Sequence, residues 1–296
     1  MSGEAAAAGD VGAAALRRRF VALLDQPGPV VVPGAHDALS ARLVEQAGYP
    51  AVYVGSYGTS AAAFGLPDVG SLTLGELADH AGRVARAVAV PVLADAEAGF
   101  FEPAGMWRTV DAFERAGVCG IHVEDHAGGK HTLEGRAVQP LELVVQRIRA
   151  AVEARTDPNF LVIARTDAIW ATGNLDEALR RMAAFADAGA DLVFPTGIDP
   201  ATLARVRDQI PARVLVLGDL PPSSMAQLRD AGADVIVYYS FTVTAATRAI
   251  SQALAGLRST EDVRQLGDLL EDTDTFERRL PYDAYLARAQ RYRVHH

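Results

Sequence analysis

Cysteine is nearly missing from this 296-residue chain, and Cys119 is its one thiol. That excludes a disulfide framework and a cysteine-rich metal centre. No apolar run is long enough to cross a bilayer. A basic surplus is missing too: 28 Lys plus Arg face 37 Asp plus Glu, a formal charge of −9. Nothing is left over to neutralise nucleic-acid phosphates. The glycine-rich phosphate turns GxGxxG and GxxxxGK[ST] do not occur, which weighs against an open dinucleotide-binding sheet. Residues 1–10, MSGEAAAAGD, lack the basic start of a signal peptide and read as a disordered tail of small residues. A cytoplasmic protein with neither membrane nor nucleic acid as partner is the expectation.

What the chain does contain is a repeated grammar. Residues 11–25 have helical apolar spacing, and Pro27 and Pro29 stop them. Short β-branched runs then alternate with helical stretches, at 30–33, 51–56, 91–97, 120–125, 160–166, 192–197, 213–219 and 235–240. Their continuous apolar character suits parallel strands buried on both faces. QAGYPAVYV, RAGVCGIHV, DAGADLVFP and DAGADVIVY share one joint: helix, Ala-Gly, strand. Gly48, Gly117, Gly189 and Gly232 fit the left-handed residue that closes a helix. Eight such strands predict a (β/α)8 TIM barrel, with the open doubly wound sheet as the alternative. Residues 11–296 read as one barrel domain with extra C-terminal helices from about 241, near 241–257, 260–272 and 282–292.

A barrel of this kind carries its chemistry at the C-terminal strand ends. Those ends hold Asp95 and Glu97, Glu124 and Asp125, Arg165 and Asp167, Asp219, then Tyr238, Tyr239 and Ser240. Alternation along a strand turns Asp95 and Glu97 the same way. With Glu124 they make an oxygen-rich cup suited to a hard cation, Mg²⁺ or Mn²⁺. Crowded carboxylates without a cation would raise one another's pKa. Arg165 adds a planar fork for an oxyanion, so the partner expected is a small oxyanionic metabolite. The plainer reading is that these acids cap helices and Arg165 neutralises them. The polar loop 126–140 carries Lys130, His131, Thr132, Glu134 and Arg136, and reads as a lid or as plain surface. His122 reads as a satisfied core residue, His36 as a group at the active end, and Cys119 as packing.

At these residues the chain resembles the isocitrate lyase/phosphoenolpyruvate mutase superfamily, a divergent member without the gating-loop Cys. The resemblance rests on PGAHDALSARLVEQAGYPAVYVGSYGTSAAAFGLPDVG at 33–70, LADAEAG at 93–99, HVED at 122–125 and IARTDA at 163–168. It implies a (β/α)8 barrel, commonly with a swapped C-terminal helix, in homotetramers or homodimers. It implies Mg²⁺ holding the enolate of a 2-oxo acid while a C–C or P–C bond forms or breaks. It sets Tyr53, Gly55, Ser56, Tyr57 and Gly58 against substrate, together with Asp95, Arg165 and Asp219. Asp95, Glu97 and Glu124 become the metal set. Lys130 becomes the gating-loop lysine. Beside Arg165, the residues themselves offer Lys130, His131 or Tyr239 as proton donor, without a choice among them.

The departures are informative. Lyases of the isocitrate and methylisocitrate type carry Lys-Lys/Arg-Cys-Gly-His in the gating loop. Here the stretch is Lys130-His131-Thr132-Leu133-Glu134, without a thiol and without the Lys-Thr-Asn of the mutases. Thr196 stands where Glu is usual, and Asp219 where Asn is. The expectation is a Mg²⁺-dependent C–C lyase or decarboxylase on a small 2-oxo or 2-hydroxy carboxylate, oxaloacetate-decarboxylase-like. The alternatives are a phosphonopyruvate-type P–C mutase or hydrolase, and a non-catalytic metabolite binder.

Overall fold

The computed structural model describes residues 12–128 and 136–293. Eight strands alternate with helices: β1 (Val30–Pro33), β2 (Val52–Val54), β3 (Val92–Asp95), β4 (Gly120–Glu124), β5 (Leu161–Thr166), β6 (Leu192–Pro195), β7 (Arg213–Leu217) and β8 (Val235–Tyr238). Each expected run contains one of them. All ladders are parallel, in the order β1-β8-β7-β6-β5-β4-β3-β2. A single bridge, Gly34 with Tyr53, closes the ring between β1 and β2. The result is a nearly closed (β/α)8 barrel. The four Ala-Gly joints take the geometry that only glycine adopts at low cost, with φ of +86° at Gly48, +89° at Gly117, +94° at Gly189 and +86° at Gly232.

The period-two pattern sorts side chains into two cores. Val92, Ala94, Ile121, Val123, Val162, Ala164, Val193, Val214 and Val216 face the surrounding helices. Val30, Val32, Tyr53, Leu93, Leu161, Ile163, Leu192, Phe194, Leu215, Leu217, Val235 and Val237 fill the ring. Leu16 and Phe20 of the helix Ala13–Leu24 join the inner cluster. Arg17 anchors that helix by donating to the carbonyls of Val118 and Glu114. Cys119 belongs to the same interior, and burial pushes its thiol up to about 12, which fits packing alone.

The inward phase continues past the apolar residues. After Leu93 it reaches Asp95, after His122 it reaches Glu124, after Ile163 it reaches Arg165, and after Phe194 it reaches Thr196. Polar groups therefore arrive inside the ring at its C-terminal end without any break in strand geometry.

The chain divides into two compact units at Thr242 and Val243. The second unit holds most of the helix Phe241–Thr260, then Thr273–Arg278 and Tyr282–Arg291. It leaves Ile250, Leu254, Leu257, Phe276 and Tyr285 exposed, and Leu266 is buried. Among the described residues no helix is long and apolar enough to cross a membrane.

Candidate active site

Asp95 ends β3 and is buried. The backbone N–H of Ser56 (3.1 Å) and its hydroxyl (2.9 Å) donate to Asp95 Oδ2, and the N–H of Glu97 donates to Oδ1 at 2.8 Å. Ser56 is held there because Gly55 lets the chain turn close against Tyr53, where a Cβ would fall 2.8 Å from the phenol ring. Next to Asp95 stand two residues of β4. His122 Nε2 is 3.6 Å from Asp95 Oδ1 and 2.8 Å from the Tyr53 hydroxyl. Ligand atoms of Asp95, His122 and Glu124 all lie within 4.8 Å of one another, and all three residues are buried.

Arg165 faces this group from β5. One nitrogen is 3.1 Å from Glu124 Oε2. Its Nε and the other nitrogen donate to the two oxygens of Asp167, at 2.8 and 3.2 Å. Burial opposes the charge on Arg165, but Asp167 and Glu124 outweigh it and hold the guanidinium ionised well beyond its usual range. Burial likewise works against ionised Asp167, and Arg165 with the His126 ring reverses it, so its carboxyl lies well below the usual range. The ring of Phe194 lies 5.2 Å from the Arg165 guanidinium and keeps that side apolar.

A cavity of about 280 Å³ opens onto these groups, lined among others by Tyr53, Ser56, Tyr57, Asp68, Asp95, Arg165, Thr196 and Tyr239. That is near the lower end of ligand-sized cavities, about 300–1,000 Å³, and suits a small substrate. Tyr57 and Tyr239 meet edge to face at 5.5 Å. Burial, then the nearby Asp219, raise the Tyr239 phenol above its usual value, so it carries its proton at neutral pH.

A family model described as phosphoenolpyruvate phosphomutase matches residues 20–258. The chain belongs to the phosphoenolpyruvate phosphomutase family. A 2,3-dimethylmalate lyase of Eubacterium barkeri is 36% identical over 257 residues, 84% of this chain and 88% of the relative. A probable 2-methylisocitrate lyase of Corynebacterium glutamicum is 39% identical, covering 82% of this chain and 81% of the relative. A phosphonopyruvate hydrolase solved with oxalate and Mg²⁺ superposes with a TM-score of 0.85 at 25% identity, over 93% of this chain and 98% of the other. The phosphoenolpyruvate phosphomutase family thus joins enzymes named for C–C and P–C chemistry, and relatives named as carbon–carbon lyases stand among them.

Several residues expected from the sequence come together here: Tyr53, Gly55, Ser56, Tyr57, Asp95, Arg165 and Tyr239 line the cavity, with Glu124 paired to Arg165. Glu97 is not in the group of Asp95, His122 and Glu124 whose ligand atoms converge. Strand β3 ends at Asp95, and Glu97 sits at φ +49°, so the strand alternation that would turn it beside Asp95 no longer applies. Its backbone supports Asp95, while the third member of the converging donor set is His122. Gly58 packs toward His36, with a Cβ position 3.4 Å from the histidine Cβ, and is not among the lining residues. Asp219 accepts from the N–H groups of Tyr239 and Ser240 and from the Ser240 hydroxyl, so its carboxylate secures the turn after β8 and does not line the cavity. Lys130 and His131 lie outside the described residues. Missed altogether were Asp68, Trp170, Leu217 and Leu220, all of which line the cavity. Asp68 stands within the 33–70 segment quoted above, whereas the other three carry no mark in a single sequence.

The donor set fits a hard divalent cation. Two buried carboxylates and an imidazole converge without a thiolate, and the arginine beside them is already shared with Asp167. The two carboxylates, Asp95 and Glu124, are the residues that would hold the ion, with the His122 ring beside them.

Proposed function

We propose that the protein is a divalent-metal-dependent carbon–carbon lyase, with Mg²⁺ or Mn²⁺ as the ion, acting on a small 2-hydroxy or 2-oxo carboxylate. The carrying observation is the convergence of Asp95, His122 and Glu124 beside Arg165 at one small cavity. When bound at Asp95 and Glu124, the ion supplies Lewis-acid stabilisation of the negative charge that develops as the C–C bond breaks. Arg165, fixed by Glu124 and Asp167, presents its charge to a substrate oxygen without needing to reorganise. In the cleavage of a 2-hydroxy acid the hydroxyl gives its proton to water, its oxygen forms a carbonyl at C2, the C2–C3 bond breaks and the electron pair leaves on C3 as an enolate. The enolate then takes up a proton. Tyr239, neutral at physiological pH and facing the cavity, is the described group suited to donate it, with Lys130 and His131 as further candidates.

The names of the relatives point to dimethylmalate or methylisocitrate. The thiol-free stretch Lys130–Glu134 and the small cavity favour the smaller acids, dimethylmalate and oxaloacetate. A panel of oxaloacetate, 2,3-dimethylmalate, 2-methylisocitrate and phosphonopyruvate, followed by release of the 2-oxo acid or of phosphate, tests the reading. It expects metal-dependent turnover of a C–C substrate that EDTA abolishes. Full activity after rigorous metal removal, or turnover of phosphonopyruvate alone, would overturn it. The localisation proposed is cytoplasmic. The assembly proposed is a homodimer or homotetramer, in which a second copy covers exposed apolar residues such as Leu254 and Tyr285.

A further inference from the structure

The cavity contains a cation that its ion-pair network does not use. Arg165 is already balanced by two carboxylates, since Glu124 takes one nitrogen and Asp167 two. Arg136 lines the same cavity and pairs with no carboxylate among the described residues. Its guanidinium carbon stands 3.8 Å from the centroid of the Trp170 ring. A guanidinium at this distance from an aromatic face is held by the ring and still carries N–H groups that can donate to an anion.

Trp170 is a firm shelf. It belongs to the helix Ala168–Thr172, which starts directly after Asp167. The His126 ring lies 5.6 Å from its ring, and His126 Nδ1 is in turn 3.2 Å from Asp167 Oδ2. On another side, a Cβ at Gly197 would stand only 3.3 Å from the Trp170 Cβ, so the chain after β6 passes tight against it. Besides the two arginines, the described lining includes the apolar side chains of Phe194, Leu217 and Leu220, and Phe194 lies 5.2 Å from the Arg165 guanidinium. A substrate with one charged end at Asp95 and Arg165 would leave the Arg136 charge unanswered.

We propose that Arg136, held on Trp170, receives a second carboxylate of the substrate, so that the substrate is a small dicarboxylate whose alkyl carbons lie against Phe194, Leu217 and Leu220. The inference rests on the reading of Asp95, Glu124 and Arg165 as the metal and 2-oxygen end of the site. A third carboxylate finds no further cation among the described lining residues, which disfavours tricarboxylates.

Calorimetry in saturating Mg²⁺ with two probes tests it. Oxalate, whose two carboxylates are directly joined, probes the inner end, and malate, with two carbons between its carboxylates, probes both ends. Because Arg136 is exposed, its replacement leaves the core intact. Arg136→Ala is expected to weaken malate at least about tenfold, the loss of one charge-assisted hydrogen bond, while oxalate changes by less than about threefold. Arg136→Lys, which keeps the charge but not the planar stack, should fall between, and Trp170→Ala should reproduce part of the malate defect. Equal losses for both probes, or no loss for either, would overturn the proposal. If wild type binds oxalate only with Mg²⁺ and Arg136→Ala fails to discriminate, this inference falls alone. If wild type binds neither probe in Mg²⁺, the underlying lyase reading falls with it.

Discussion

Glu124 and Asp125 are adjacent, both buried, and each is paired with an arginine, yet they serve different regions of the barrel. Glu124 is on the inward phase of β4 and shares Arg165 with Asp167 at the edge of the cavity. Asp125 takes the other side. Arg181, from the helix Leu175–Asp187, donates to Oδ2 at 3.0 Å, the Thr166 hydroxyl donates to the same oxygen, and the Asp167 N–H donates to Oδ1. Burial pushes the Asp125 carboxyl up, and those donors oppose the shift. The lesson is that a buried acid–arginine pair does not by itself mark a functional site. The Asp125 pair ties a helix to two strands, and neither partner is among the described residues lining the cavity. The Glu124 pair lies where three side chains that could hold a metal converge, beside a cavity with room for a substrate.

The largest effect should come from the structural side of this comparison. Replacing Asp125 with Ala leaves Arg181 buried beside an empty site and should cost about 3–5 kcal/mol of stability in urea unfolding, with activity per folded molecule falling less than in Arg165→Lys. A stable but inactive Asp125→Ala enzyme would reverse the two roles.

A second test uses pH. Asp167 has its folded-state carboxyl well below the usual range, so its contribution to stability is present above the unfolded value near 3.8 and is lost as pH falls through the folded value. The advantage of wild type over Asp167→Asn should therefore be greatest at neutral pH and shrink as the medium becomes more acid than about 4, measured by thermal unfolding. An advantage that grew with acidification would contradict the pairing.

On the cavity side, Arg165→Lys preserves charge but cannot span Glu124 and both oxygens of Asp167. It should lower kcat/KM by about tenfold to a hundredfold, the worth of a charge-assisted contact. Unchanged steady-state constants would remove Arg165 from the site. The smallest effect belongs to Asp219→Asn, which retains an acceptor for the Tyr239 and Ser240 N–H groups. Stability should move by less than about 1 kcal/mol with KM unaltered. A large rise in KM would show that Asp219 meets substrate after all.

Much of this was readable in the sequence, for a physical reason. Parallel strands buried on both faces write themselves as apolar runs, and the Ala-Gly joints mark each return to the sheet, so the barrel and its eight strands were legible. The positions of Asp95, Glu124 and Arg165 followed from strand ends. What escaped lay where strand geometry stops or where one residue type serves two roles. Glu97 was extrapolated along a strand that ends two residues earlier. His122 looked like core because it is flanked by Ile121 and Val123, and only the phase of β4, which turns those two outward, puts the imidazole inside the ring. Trp170, Leu217 and Leu220 are apolar residues in a chain full of them, and nothing short of three dimensions separates a cavity wall from a core.

The central claim is that Asp95 and Glu124 hold a divalent ion beside Arg165. Titration of Mn²⁺ into the protein, followed by the paramagnetic signal of the free ion, tests it most directly. The account predicts one saturable site per chain in wild type, its loss in Asp95→Asn, and its retention in Asp219→Asn. Binding of equal strength in wild type and Asp95→Asn would contradict it.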